Sequence, residues 1–256
     1  MGGPEALFQV TDLVFVGPQA RSSMPVDPAL SAPGGGISAG SLGVLVDIVL
    51  GYSIVAARPP GHWSVSSEIQ VEVLGGLRRP RGRLHAQGVV IDLDRYGGLA
   101  RGRVRDDAGE LLAVCSQRGR FVPLLAGDPE APGVPPSPAR GATDLADLLR
   151  ARPLGGGSGV ALTVSPELQN PLRNLHGGIA LCAADVAAHV AMDASGQRWT
   201  TTSLQISYVR PIRGGVEAEF GAAVRHLGRA LAVVDVVGSV AGKQCTIARV
   251  TLQPAD

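Results

Sequence analysis

Aromatic residues make up only 4% of this 256-residue chain, so its core has to be built from Ala, Val, Leu and Ile. Net charge is nearly absent as well. Lys and Arg number 23 against 22 Asp and Glu, and the resulting +1 offers no bulk attraction to nucleic acid or an acidic membrane. Cysteine is scarce. Cys115, Cys182 and Cys245 are odd in number, far apart and free of any Cys-x-x-Cys spacing, which excludes a disulfide framework using all three and argues against a zinc knuckle. A reducing cytoplasm is therefore expected. The first residues show no basic stretch followed by an apolar one, so no secretory leader is predicted. The most apolar run, 42–57, is short for a membrane span and is broken by Asp47 and Gly51. What the chain does have is 45% hydrophobic residues beside 18% charged ones, enough for a substantial core in a soluble protein.

A Pro- and Gly-rich stretch at 125–138 cannot sustain a helix or a central strand and reads as linker. It divides the chain into two pieces, 1–124 and 143–256, joined through 125–142. Directly after it, 143–149 reads as a short helix with Thr143 as N-cap. The two pieces repeat one another in outline. Residues 40–57 and 178–192 each predict an apolar helix with a lone acid, Asp47 and Asp185. Trp63 and Trp199 follow, each opening a hydroxyl-rich strand at 64–71 and 200–206. Amphipathic strands come next in both pieces, at 83–91, 99–105 and 111–122, and at 216–224, 230–240 and 244–252. A helix apolar on all sides has to be wrapped rather than laid on a surface. The expected fold class is α+β, with two tandem units, each a curled antiparallel sheet around one central helix.

The second piece carries Asn170, then His176-Gly177-Gly178, then Asp185, and Ser203 on the next strand. Together with Tyr208-Val209-Arg210-Pro211 and His226-Leu227-Gly228-Arg229, this set resembles the hot-dog fold thioesterases, in particular the phenylacetate-pathway (PaaI-like) acyl-CoA thioesterases, over 162–252. The first piece matches only in outline, with Ser38-Ala39-Gly40 standing where His-Gly-Gly should be. The whole chain thus resembles a double hot-dog protein. The resemblance implies hydrolysis of an acyl-CoA to free acid and coenzyme A, with no metal and no cofactor beyond the coenzyme A of the substrate. It also implies that Asn170 positions the attacking water, that His176 fixes the loop or touches the thioester, and that a strand hydroxyl assists the carboxylate.

Physical chemistry says why such a motif works. Thioester hydrolysis needs charge stabilised on the carbonyl oxygen and a water activated or a nucleophile supplied. A helix N-terminus offers unpaired N–H groups, and Gly177 lets a carbonyl come close to one. A lone carboxylate in an apolar helix is a natural base or nucleophile. Spacing then decides how these combine. The nine residues from His176 to Asp185 amount to about 13.5 Å along a helix and about 180° around it. One helix therefore cannot bring its own His-Gly end to its own Asp, and the partner must come from the other piece. The complete site expected is Asn170, His176 and the Gly177 N–H with Asp47, Gly178 lining it. The catalytic groups of a reciprocal site, Asp185 and Ser203, face Ser38-Ala39-Gly40, which lack the Asn and His, so that site is expected to be degenerate or reduced to substrate binding. Matching the tryptophans makes Ser67 the counterpart of Ser203; matching the apolar alternation gives Glu68.

Other readings of these residues are simpler. His176 and Ser38 could serve only as helix caps, and His189 as a core histidine. The runs Gly34-Gly35-Gly36 and Gly155-Gly156-Gly157 lack the Lys-Ser/Thr of a phosphate-binding loop. Arg210 and Arg229, like Arg213 and the 78–81 cluster, are candidates for meeting coenzyme A phosphates. A non-catalytic acyl-thioester binding or scaffold protein with eroded sites is the alternative function. A hydratase is weaker, lacking a further His-Asp pair for proton transfer. Edges left by curled sheets make a homo-oligomer the expected state.

Overall fold

Two helices with hardly a polar side chain dictate the architecture. The first piece runs α1 (Pro4–Leu7), β1 (Val14–Val16), β2 (Gln19–Pro25), α2 (Leu42–Ala56), β3 (His62–Val73), β4 (Arg83–Leu93), β5 (Gly97–Asp106) and β6 (Leu111–Pro123). The second runs α3 (Leu145–Leu148), β7 (Arg152–Pro153), β8 (Gly159–Thr163), α4 (Gly177–Met192), β9 (Trp199–Tyr208), β10 (Glu217–Leu227), β11 (Ala232–Val240) and β12 (Lys243–Pro254). This computed structural model describes residues 3–11, 13–32, 36–124 and 141–255, so most of the expected linker, 125–140, lies outside the described residues. Thr143 is not the cap of the short helix after it: Asp144 is, its carboxylate accepting from the Asp147 N–H, because it stands one residue nearer the helix.

Among the described residues, the twelve strands form one antiparallel sheet in the order β1-β2-β4-β5-β6-β3-β9-β12-β11-β10-β8-β7. α2 packs on the strands of the first piece, α4 on those of the second, and the two helices pack on each other. With their flanking turns, Ala39–Ala56 and Gly177–Ser195 are long and apolar enough to cross a bilayer, yet 83% and 72% of their apolar windows are buried in protein. Leu42, Leu45, Ile48 and Leu50 of α2 and Ile179, Leu181 and Cys182 of α4 are fully enclosed. Each such aliphatic side chain contributes roughly 1.5–3 kcal/mol. The helices touch backbone to backbone where Gly43 meets Gly178: a Cβ on Gly178 would lie 2.5 Å from the Gly43 carbonyl carbon.

The two pieces join at β3 and β9. Gln70 faces Gln205, with Ile69 opposite Ile206 and Val71 opposite Leu204, a locally two-fold register. Each of these strands has a bulge toward its outer neighbour, between Ser66 and Glu68 in the β3–β6 pairing and opposite the Thr251–Leu252 step in the β9–β12 pairing. Strict alternation from Ile69 and Val71 would turn Ser67 toward the helix. The extra residue of the bulge gives that position to Ser66 instead, and in the same way to Thr201 on β9.

Candidate active site

His176 is the N-cap of α4, in extended conformation, and its backbone N–H is held by the Leu168 carbonyl at 2.9 Å. That arrangement leaves the first N–H groups of α4 facing the middle of α2, where Asp47 sits. The Gly178 N–H is shared between Asp47 Oδ2 at 3.0 Å and His176 Nδ1 at 3.1 Å, and Nδ1 lies 3.3 Å from the same oxygen. An Nδ1 that accepts from Gly178 places the proton of a neutral ring on Nε2. Gly177 is the residue of closest approach: a Cβ there would stand 2.7 Å from Asp47 Oδ2 and 3.3 Å from the Tyr208 hydroxyl. As the first helical residue, Gly177 has no intrahelical acceptor for its own N–H. Its carbonyl accepts from Tyr208 at 2.7 Å, and burial, reinforced by the Asp47 charge, pushes the Tyr208 phenol well above its ordinary value.

Two further side chains converge on Asp47 that the sequence did not single out. Ser66 Oγ donates to Oδ1 at 2.8 Å, and Gln117 Nε2 donates to the same oxygen at 2.7 Å while reaching Ser66 Oγ at 2.8 Å. Asp47 thus takes donors from β3, β6 and the opposite helix. Gln117 did carry a sequence signal, since it lies on the inward row of β6 with Ala113 and Cys115, where an amide is out of place among apolar neighbours.

Asp47, Asn170, His176 and Gly177 all line one cavity of about 460 Å³. Tyr52, Val55, Trp63 and Val122 form its apolar wall, and Arg210 and Arg213 also line it. Burial, with smaller effects from Glu5 and Asp47, pushes the Tyr52 phenol up to about 12. Asn170 Oδ1 accepts from the Asn174 N–H at 3.1 Å, which ties the loop leading to His176.

The other expected residues lie elsewhere. Asp185, wholly buried, accepts from Ser38 Oγ at 2.5 Å, the Gly40 N–H at 2.9 Å and Thr201 Oγ1 at 2.6 Å. Ser203 does not reach it, because its alternation turns it outward to Glu72 at 3.0 Å. Ser67, the bulge residue, donates to the Arg118 carbonyl, and Glu68 accepts from Gln205. Arg229 sits in the exposed turn after β10, away from the cavity lining.

Asp185 and Asp47 thus occupy equivalent positions with unlike surroundings. One turn on from Asp47 stands Gly51; one turn on from Asp185 stands His189, whose Nε2 meets Thr201 Oγ1 at 3.1 Å. Since Thr201 donates to Asp185, it accepts from His189. Beside Gly51 the Gln117 amide takes the room, its Nε2 3.0 Å from where a Cβ on Gly51 would stand; beside Asp185 the His189 imidazole is itself the filling, and the neighbouring pocket is about 40 Å³. Asp185→Asn is therefore expected to cost about 1–3 kcal/mol of stability through mispaired buried donors, with kcat of the folded protein near wild type. Denaturant melts beside turnover assays check both halves of that statement.

A family model described as the thioesterase superfamily matches residues 172–244. No curated protein matches the chain by sequence. Among solved structures, the chain is similar to the tesB protein of Mycobacterium avium subs paratuberculosis, with TM-score 0.69 and 14% identity over 99% of this chain and 100% of that one. It is similar to the 12:0-ACP thioesterase of Umbellularia californica, with TM-score 0.63 and 14% identity over 93% and 95%. It is also similar to an acyl-ACP thioesterase of Bacteroides thetaiotaomicron, with TM-score 0.60 and 14% identity over 92% and 98%. At these identities the likeness is one of fold, and the large antiparallel sheet with its enclosed helices is the hot-dog fold of the thioesterases.

Proposed function

We propose that this chain hydrolyses acyl thioesters of coenzyme A at a single composite site between its two pieces, which we read as tandem hot-dog units. The carrying observation is the meeting of Asp47 from one piece with the α4 N-terminus of the other, 3.0 Å apart at the wall of an open cavity. In this reading the thioester carbonyl points at the Gly177 N–H and the positive end of α4, where the oxygen gains charge as the carbonyl is attacked. Asp47, held by Ser66 and Gln117, takes a proton from the attacking water. Collapse of the tetrahedral adduct breaks the C–S bond and releases acid and thiol, with no group needed beyond the substrate's own coenzyme A.

Coenzyme A, rather than a carrier protein, is favoured by the pair Arg210 and Arg213 in the cavity lining, since coenzyme A presents a pyrophosphate and a further phosphate to two guanidinium groups where a carrier-protein arm presents a single phosphodiester. A homo-oligomer in a reducing cytoplasm belongs to the same proposal. The test is thiol release from matched acyl-CoA and acyl-carrier-protein substrates. We expect kcat/KM at least about tenfold higher on the coenzyme A thioester, with Arg210→Ala and Arg213→Ala raising KM there. Cleavage of the carrier-protein thioester alone refutes the coenzyme A assignment, and cleavage of neither refutes the hydrolase.

A further inference from the structure

The cavity holds a second carboxyl group that hydrolysis as described leaves unused. Glu5 lies on α1, with Pro4 at the first helical position; α1 packs on α2 and the 166–168 turn, and Leu7 and the following Phe8 are buried in the core. Glu5 is 4% exposed and lines the same cavity as Asp47 and His176. A glutamate is seldom enclosed to this degree without a partner or a task.

Among the described residues, these charged and titratable groups line the cavity with it. α2 supplies Asp47 and Tyr52, the N-terminus of α4 supplies His176, β9 supplies Tyr208, and the segment after β9 supplies Arg210 and Arg213. Glu167, on the turn beneath α1, is turned to Arg150 at 3.8 Å. Burial pushes the Glu5 carboxyl upward, the His176 charge and Glu5's own backbone N–H oppose it, and the Asp47 charge adds a smaller upward push. Asp47 instead receives donors from Ser66, Gln117 and Gly178. Two carboxyl groups in one cavity, one ringed by donors and the other desolvated, are set up for opposite proton duties.

We propose that Glu5 is the proton donor of the reaction, protonating the departing sulfur while Asp47 serves as base. The inference rests on the thioester hydrolase reading above. Water adds to the carbonyl carbon and gives one proton to Asp47. The C–S bond then breaks, its electron pair going to sulfur, and the Glu5 proton goes with it to form the thiol. Transfer of the proton from Asp47 to Glu5 through the cavity restores both groups, so atoms and charge balance as thioester plus water giving acid plus thiol.

The leaving group supplies the test. An aryl thiolate departs without help, whereas an alkyl thiolate such as that of coenzyme A gains from protonation. Glu5→Gln keeps the shape and removes the proton. Using one acyl group on both thiols, we expect kcat of Glu5→Gln to fall about 10²-fold on the coenzyme A thioester and less than about threefold on the thiophenyl ester. Equal losses on both, or no loss, overturn the proposal. The wild-type protein provides a second arm that does not depend on the variant folding. A donor must hold its proton, so the alkyl thioester rate falls as pH rises through the Glu5 pKa, and the aryl rate does not. Coincident high-pH limbs for the two esters overturn the proposal as well. A wild-type protein that cleaves neither ester refutes the hydrolase reading, a result distinct from the loss of Glu5 alone.

Discussion

Asp47→Asn lowers kcat by about 10³-fold while Asp185→Asn leaves it within a few-fold of wild type: that is the first expected result. Both substitutions put an amide where hydroxyl and N–H donors converge, so both should cost stability. Only at Asp47 is the carboxylate open to a cavity in which a water and a thioester fit. Asp185 is wholly enclosed, with Ser38, Gly40 and Thr201 closed on its two oxygens and His189 beside Thr201. The assay is thiol release at saturating substrate, with KM measured alongside, since loss of a base acts on kcat more than on binding. Equal losses of kcat in the two variants refute the single-site reading.

The second large effect concerns the crossing of the helices. In Gly178→Ala the new Cβ would lie 2.5 Å from the Gly43 carbonyl carbon and oxygen and 2.6 Å from the Val44 Cα. All three are backbone atoms of a packed helix, which cannot swing aside as a side-chain tip can. The helices have to separate, at a cost of about 3 kcal/mol or more. For a chain of this length that corresponds to roughly 6–12 °C in Tm. Separation also draws the Gly178 N–H away from Asp47, so activity falls with stability. Gly221→Ala is the matched control, because nothing lies within 4 Å of a Cβ there, and its effect should stay within about 0.5 kcal/mol. Thermal melts of the two variants decide it, and a Gly178→Ala protein as stable as the control contradicts the close crossing.

Much of the architecture was legible because it follows from two simple patterns. The paired apolar helices, each with one acid, lie where the runs 40–57 and 178–192 put them, although the first opens with a tighter turn at Ala39–Ser41 before α2 proper. Helix geometry alone separated His176 from Asp185, and in the structure it is Asp47 that stands beside the histidine. The strand hydroxyls were less legible. Ser66 and Thr201 face the two aspartates because a bulge shifts the inward row by one residue, and a bulge of this kind leaves no mark in a run of serines and threonines. Ser203 came from the family resemblance and Ser67 from matching the two tryptophans, and both point away. Gln117 comes from a strand 70 residues beyond Asp47, so its role depends on a pairing that no local pattern encodes, even though its inward parity was visible. Glu5 was hidden for another reason. An acid in the first turn of a short helix is what ordinary capping electrostatics provides, so nothing in its surroundings marked it as enclosed.

The unlike residues one turn beyond the two aspartates carry a consequence for how this protein tolerates change. In a symmetric pair of identical chains, a histidine that plugs one cleft must plug both, and a glycine that opens one must open both. Here Gly51 and His189 stand at matching places within a single polypeptide, so the hollow and the filling are inherited separately. A substitution beside Gly51 therefore reaches the large cavity alone and leaves the packing around His189 as it is, so the cavity can change shape without its counterpart changing with it.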